Sequence, residues 1–277
     1  MRNPLRIPAT LQLICKCWNK AEEALRQGIK NDFPDIDEEA ITQNFHAQLS
    51  ASLRAASGVR AIESAFLSDL RSSSLRHVQE KDLRKIAHGL VADVSLHRRD
   101  TEKVTGGDFG FVIIRPDVQS GSTSLKIDDY RRGILTQAKL KRADGSWGTF
   151  TPNQEKVLPE RLEYLSLLLY SYEDNARHNL RPFSWRLCNG FSFDQVKDLL
   201  KREQFQSSLS SCEIIKGLGN AKIGTDKNSI LDDVISPAKN PSLIIRIHWP
   251  DGEHPGSEVR VYTRQESQQK AVILRHR

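Results

Sequence analysis

Three polar residues set inside two apolar runs carry the chemistry that this sequence can support. Asp108 opens the run Phe109-Gly110-Phe111-Val112-Ile113-Ile114 behind a Gly106-Gly107 pair, and Gln137 and Lys139 sit within Gly133-Ile134-Leu135-Thr136-Gln137-Ala138-Lys139-Leu140. Side chains two apart on a strand leave from the same face, so Gln137 and Lys139 share one. If the two runs pair as a hairpin, Asp108 reaches that face as well. A carboxylate, a neutral oxygen acceptor and an ammonium in one place suit a hard divalent cation, a phosphodiester and an activated water.

A further acid comes from upstream. Asp37 to Leu49 reads as a helix start, capped by Asp35 or Asp37, with Ile41, Phe45, Leu49 and Leu53 on one face. Glu38 stands three residues before Ile41 and flanks that apolar stripe; its neighbour Glu39 is the alternative. Acids in a first helical turn also serve as ordinary partners of the helix dipole.

The arrangement resembles the active-site core of the PD-(D/E)XK nuclease superfamily, the fold of restriction endonucleases. Asp108 matches the motif aspartate and Gln137-Ala138-Lys139 stands in place of (D/E)XK, over roughly residues 35 to 190. Gln137 departs from the strict motif and resembles the glutamine variant of several restriction and defence nucleases. An amide oxygen carries no charge, so it should hold a metal less tightly than a carboxylate would.

The resemblance implies an α/β (α+β) fold, a restriction-endonuclease-like core of a mixed sheet flanked by helices, preceded by an N-terminal helical segment. It also implies Mg2+ or Mn2+ held by Asp108, Glu38 or Glu39, the Ala138 carbonyl and Gln137. In that scheme Gln137 orients the metal's water or accepts its hydrogen bond, and Lys139 positions or activates the water and offsets phosphate charge. The activity implied is endonuclease cleavage of double-stranded DNA. The implied setting is bacterial restriction or antiphage defence, with a helicase, ATPase, sensor protein or second copy of the chain as partner. Gln154 matches a glutamine that recurs after the lysine strand in related defence nucleases, where it would contact the site or the backbone; a surface position is its ordinary alternative.

Charge fits a polyanionic partner. The 277 residues carry a formal net charge of +6. Basic residues gather at Arg98-Arg99, Arg131-Arg132 and Lys141-Arg142, around the two candidate strands, where phosphate contacts would need them. Lys141 and Arg142, each taken alone, also fit a strand end in solvent.

A hydrophobic share of 38% is that of an ordinary globular chain. The apolar stretch from Tyr164 to Tyr170 is too short to span a bilayer, and no secretory pattern opens the chain, so a cytoplasmic protein without membrane contact is expected. The four cysteines, at 15, 17, 188 and 212, match neither a disulfide framework nor a zinc spacing, and are expected to be reduced.

Periodicity and turn residues predict helices over 8–30, 37–56, 61–70, 80–89, 159–172 and 193–202. Strands are predicted over 91–96, 108–114, 133–141, 183–188, 243–249 and 258–263, with a polar connection over 117–129 and an antiparallel start to a mixed sheet. This divides the chain into an N-terminal helical segment (1–34), a nuclease-like core (35–190) and a C-terminal α/β extension (191–277).

Other features carry less chemistry. Gly217 to Gly224 superficially resembles a phosphate loop but lacks its Gly-Lys-Ser/Thr ending. His248 and His254 have no second ligand at metal spacing. Trp147, Trp185 and Trp249 are able to stack bases, although burial is the commoner fate of tryptophan. No nucleophile elbow points to a serine hydrolase. The rival function is a non-catalytic module on the same fold, binding nucleic acid or protein, with Gln137 marking a decayed metal site.

Overall fold

Leu11, Ile14, Trp18 and Leu25 recur at helical spacing, and all four are buried along α1 (Pro8–Asp32). The computed structural model describes residues 6–32, 37–54, 56–73, 81, 83, 91–96, 103–120, 125–142, 144–173, 179–202, 208–220, 222–226, 243–248 and 258–262. After α1 come α2 (Glu38–Arg54) and α3 (Ala56–Ser72). Asp69 of α3 caps α1 from across the fold, accepting hydrogen bonds from Ala9 N at 3.1 Å and Thr10 N at 2.9 Å. Asp37 caps α2, its Oδ1 accepting from Ala40 N at 2.7 Å.

The strands are β1 (Val91–Leu96), β2 (Phe109–Ser120), β3 (Leu125–Leu140), β4 (Leu165–Tyr170), β5 (Ser184–Leu187), β6 (Leu243–His248) and β7 (Glu258–Tyr262). They form one mixed sheet in the order β5-β4-β3-β2-β1-β6-β7. Only β3 and β4 run parallel, and such a pair needs a crossover. That crossover carries the short helix α4 (Pro152–Val157) and a 3-10 turn (Leu158–Arg161). Two further helices follow, α5 (Phe193–Arg202) and α6 (Ser211–Gly219).

Alternation along the central strands splits the interior into two layers. Phe109, Phe111, Ile113, Ile134, Ala138, Leu168 and Tyr170 face a core shared with α1, α2, α3 and α6. Val112, Leu135, Leu165, Leu167 and Leu169 face a second core closed by Leu158 and by Phe193, Val196 and Leu200 of α5. α1 and α6 therefore pack into the same core as the central strands, and β6 extends the same sheet beside β1.

Two expectations are corrected. Residues 159–172 were expected to be helical, yet Leu165–Tyr170 is strand β4, buried at every position. A strand covered on both faces reads as a continuous apolar run, which periodicity cannot distinguish from a buried helix. The polar stretch 117–129 is no open connection: β2 and β3 stay paired from Phe109↔Thr136 to Ser120↔Leu125. The helix expected over 80–89 lies almost wholly outside the described residues.

Candidate active site

The site grows from a mismatch in strand length. β2 starts opposite Thr136, with Asp108 N donating to Thr136 O at 2.8 Å, while β3 continues to Leu140. Beyond Thr136 the edge of β3 facing β2 has lost its partner, and its N–H and C=O groups must be satisfied otherwise. On its other edge β3 stays paired with β4 from Leu135↔Leu165 to Leu140↔Tyr170.

Two carboxylates fill the vacated edge. Asp108 Oδ2 accepts from Ala138 N at 2.6 Å, and Glu38 Oε2 accepts from Leu140 N at 2.7 Å. The two amides are two residues apart, about 7 Å along a strand, with the Ala138 carbonyl between them on the same edge. Both negative side chains also act on the buried Tyr170 phenol. Burial is the main reason that its pKa lies far above the usual value, and the nearby Asp108 and Glu38 charges add to the effect. The Tyr170 hydroxyl is held at 3.1 Å from Thr42 Oγ1, one turn after Glu38 on α2.

Chain conformation makes this approach possible. Gly106 adopts a φ of +77°, which turns the backbone into Asp108 at little cost. At Gly148 a side chain would crowd the site, since a Cβ there would lie 3.2 Å from Glu38 Oε2 and 3.7 Å from Lys139 Cδ.

Lys139 and Gln137 point to the face covered by the crossover. The Lys139 side chain, only 3% exposed, places Nζ 3.4 Å from Glu38 Oε1 and 5.2 Å from the centre of the Phe150 ring. Gln137 is 1% exposed, and its Nε2 donates to Asp108 Oδ2 at 2.7 Å and to Ala138 O at 3.1 Å. Its Oε1 accepts from Gln154 Nε2 at 2.9 Å. Gln154 in turn is the third residue of α4, and its Oε1 accepts from Thr151 N at 3.0 Å in a capping box. Gln154 is thus buried and contacts both the site and the backbone; it is not a surface residue.

Among the helix acids, Glu38 reaches the site. Glu39 is exposed and accepts from Gln43 Nε2 at 3.1 Å. A cleft of about 640 Å³ opens beside Glu38 and Lys139, and Asp37, Arg142, Asp144 and Gly148 also line it.

The oxygens of Asp108, Glu38 and Ala138 form a donor set that suits a hard cation. Among the described residues, no three His, Cys, Asp or Glu side chains cluster as a metal site, so carboxylates alone would not complete the set. Gln137, expected to offer its oxygen, presents its NH2 group instead.

The basic residues divide. Arg142 lines the cleft and Lys141 lines a second pocket. Arg132 turns to Ile223 O at 3.3 Å and Asp226 Oδ2 at 3.7 Å. It lies five residues from Gln137, roughly 16 Å along the strand. Arg131 is in β3 with its side chain outside the described residues, and Arg98, Arg99, Trp249 and His254 lie outside them altogether. Trp185 is buried and donates to Ser211 Oγ at 2.9 Å, a structural role. The described cysteines are free thiols, and burial pushes those of Cys15 and Cys188 up to about 12.

No helix among the described residues is long and apolar enough to cross a membrane. Compared with protein-family models, with curated proteins and with solved structures, the chain matches none.

Proposed function

We propose that this chain is a divalent-metal-dependent nuclease acting on DNA, built on a restriction-endonuclease-like core. The observation that supports this best is the shared strand edge, where Asp108 and Glu38 flank the Ala138 carbonyl while Lys139 contacts Glu38. Asp108, Glu38 and the Ala138 carbonyl would hold Mg2+ or Mn2+. When bound, such a cation lowers the pKa of a water and offsets charge on the phosphate.

The chain's own residues do the rest. Glu38 and the Phe150 ring hold the Lys139 ammonium at the cleft wall, ready to stabilise charge that develops on the attacked phosphate. Arg142, exposed at the cleft, offers a phosphate contact that orients the strand. Gln154 and Asp108 fix the Gln137 amide, so it presents a rigid polar surface to the reacting groups. A role as the nuclease subunit of a bacterial restriction or antiphage system, with a helicase, ATPase or sensor protein choosing the target, extends this reading.

One observation favours a second reading, a non-catalytic nucleic-acid- or protein-binding module. The Gln137 NH2 group already donates to two oxygens that a cation would use. Calorimetric titration with Mn2+ separates the two. Micromolar-range binding lost in Asp108→Asn supports the nuclease, and the same lack of heat from parent and variant supports the module.

A further inference from the structure

The hairpin after β3 has two different sides. Lys141 and Trp147 face each other as an isolated bridge, and Gly148 N closes the hairpin by donating to Leu140 O at 3.0 Å. Leu140, Arg142 and Gly148 line the cleft of the candidate active site, whereas their neighbours Lys141 and Trp147 line a separate pocket of about 230 Å³. Tyr172, Arg181, Ser171 and Ser184 line that pocket with them, and none of its lining residues is acidic. Its chemistry is therefore unlike the cleft's. It combines two aromatic rings, two cations and serine hydroxyls, and Arg181 is exposed. Trp147 and Tyr172 are half-buried, and Trp147 Nε1 and the Tyr172 hydroxyl are on the buried side.

Aromatic faces stack on any base, cations pair with phosphates, and small hydroxyls meet base edges. A cavity of this size admits a single unstacked base, which a paired duplex does not offer. We infer that this pocket binds one nucleotide of a single-stranded nucleic acid, its base against Trp147 and Tyr172 and its phosphate against Lys141 and Arg181, next to the scissile position. The inference rests on the nuclease reading for what lies in the cleft. It adds that the substrate is single-stranded, or locally unwound, where it enters the site. Lys141 lies between Leu140 and Arg142, which line the cleft, so a strand bound in the pocket would pass into the cleft around this hairpin.

The test is fluorescence anisotropy with labelled oligo-dT, oligo-U and a duplex of equal length, in EDTA so that nothing is cut. The full chain should bind a single strand more tightly than the duplex. Trp147→Ala and Arg181→Ala should each weaken single-strand binding roughly tenfold and leave duplex binding nearly unchanged. The two single strands distinguish DNA from RNA as the source of the nucleotide. Arg181 is exposed, so its variant reports even if Trp147→Ala fails to fold. Parent-like single-strand binding by Arg181→Ala and by folded Trp147→Ala would overturn the inference, as would a parent that binds no single strand. Cleavage with Mg2+ is scored separately. A chain that binds through the pocket and cuts nothing keeps the pocket and loses the nuclease, and one that cuts while its pocket variants bind like the parent does the reverse.

Discussion

Gln154 Nε2 donates to Gln137 Oε1 at 2.9 Å, and this single bond sets which end of the Gln137 amide meets Asp108. The polarity originates in the backbone. Thr151 N can only donate, so it fixes the Gln154 oxygen toward itself and the Gln154 NH2 toward Gln137. Gln137 is left with its own NH2 facing Asp108 and the Ala138 carbonyl.

Gln154→Leu should break this chain. It strands the Gln137 oxygen in a buried setting, at a cost of about 1–3 kcal/mol, and removes the capping bond from the exposed Thr151 amide. It also frees Gln137 to turn its oxygen toward a cation, so Mn2+ affinity should rise while stability falls. Urea denaturation with and without Mn2+ reads both effects, and a parent-like midpoint and affinity would remove the relay.

The central strands were largely legible in the sequence because Asp108, Gln137 and Lys139 sit in apolar runs whose alternation survives in the sheet. Glu38 was narrowed to two neighbours by the Ile41 stripe, and only packing against β3 chose between them. Two features were not legible. The run Leu165–Tyr170 is apolar on both faces and so lacks a period, and Gln154 is buried by a capping box whose meaning depends on where the crossover lies. The signal was there in Thr151-Pro152-Asn153-Gln154, a capping-box spacing with proline at the first helical position.

Lys139→Met keeps the aliphatic stem against Phe150 and removes the ammonium. Cleavage should fall by at least a hundredfold, about 3 kcal/mol of transition-state stabilisation. Far-ultraviolet circular dichroism should remain unchanged, since Glu38 keeps its bond to Leu140 N. A variant cutting at the parent rate would remove Lys139 from the chemistry.

Gln137→Glu replaces a donor beside Asp108 with a second negative charge. The metal-free fold should lose stability through like-charge repulsion, and Mn2+ should restore it by binding more tightly than in the parent. Thermal melts across a Mn2+ titration report this directly. No difference from the parent in either arm would mean that residue 137 does not face the cation.

Glu22 predicts a pH effect in the core. Burial raises its pKa above the usual carboxylate value, although Ser211 Oγ, Phe183 N and Trp18 Nε1 all donate to it. The folded state therefore holds this proton more tightly than the unfolded chain. Its contribution is fully present below the unfolded pKa and is lost as pH rises through the folded one. Glu22→Gln should flatten that part of the stability profile in urea titrations run across the acidic range, and an unaltered slope would contradict the assignment.

The central claim is most directly tested by incubating the purified chain with single-stranded DNA, duplex DNA and RNA in Mg2+, in Mn2+ and in EDTA, beside Asp108→Asn and Glu38→Gln. The account predicts metal-dependent cleavage of DNA by the parent, none in EDTA, and loss of at least a hundredfold in both variants. A folded parent that cuts nothing in either metal, or variants that cut as the parent does, would contradict it.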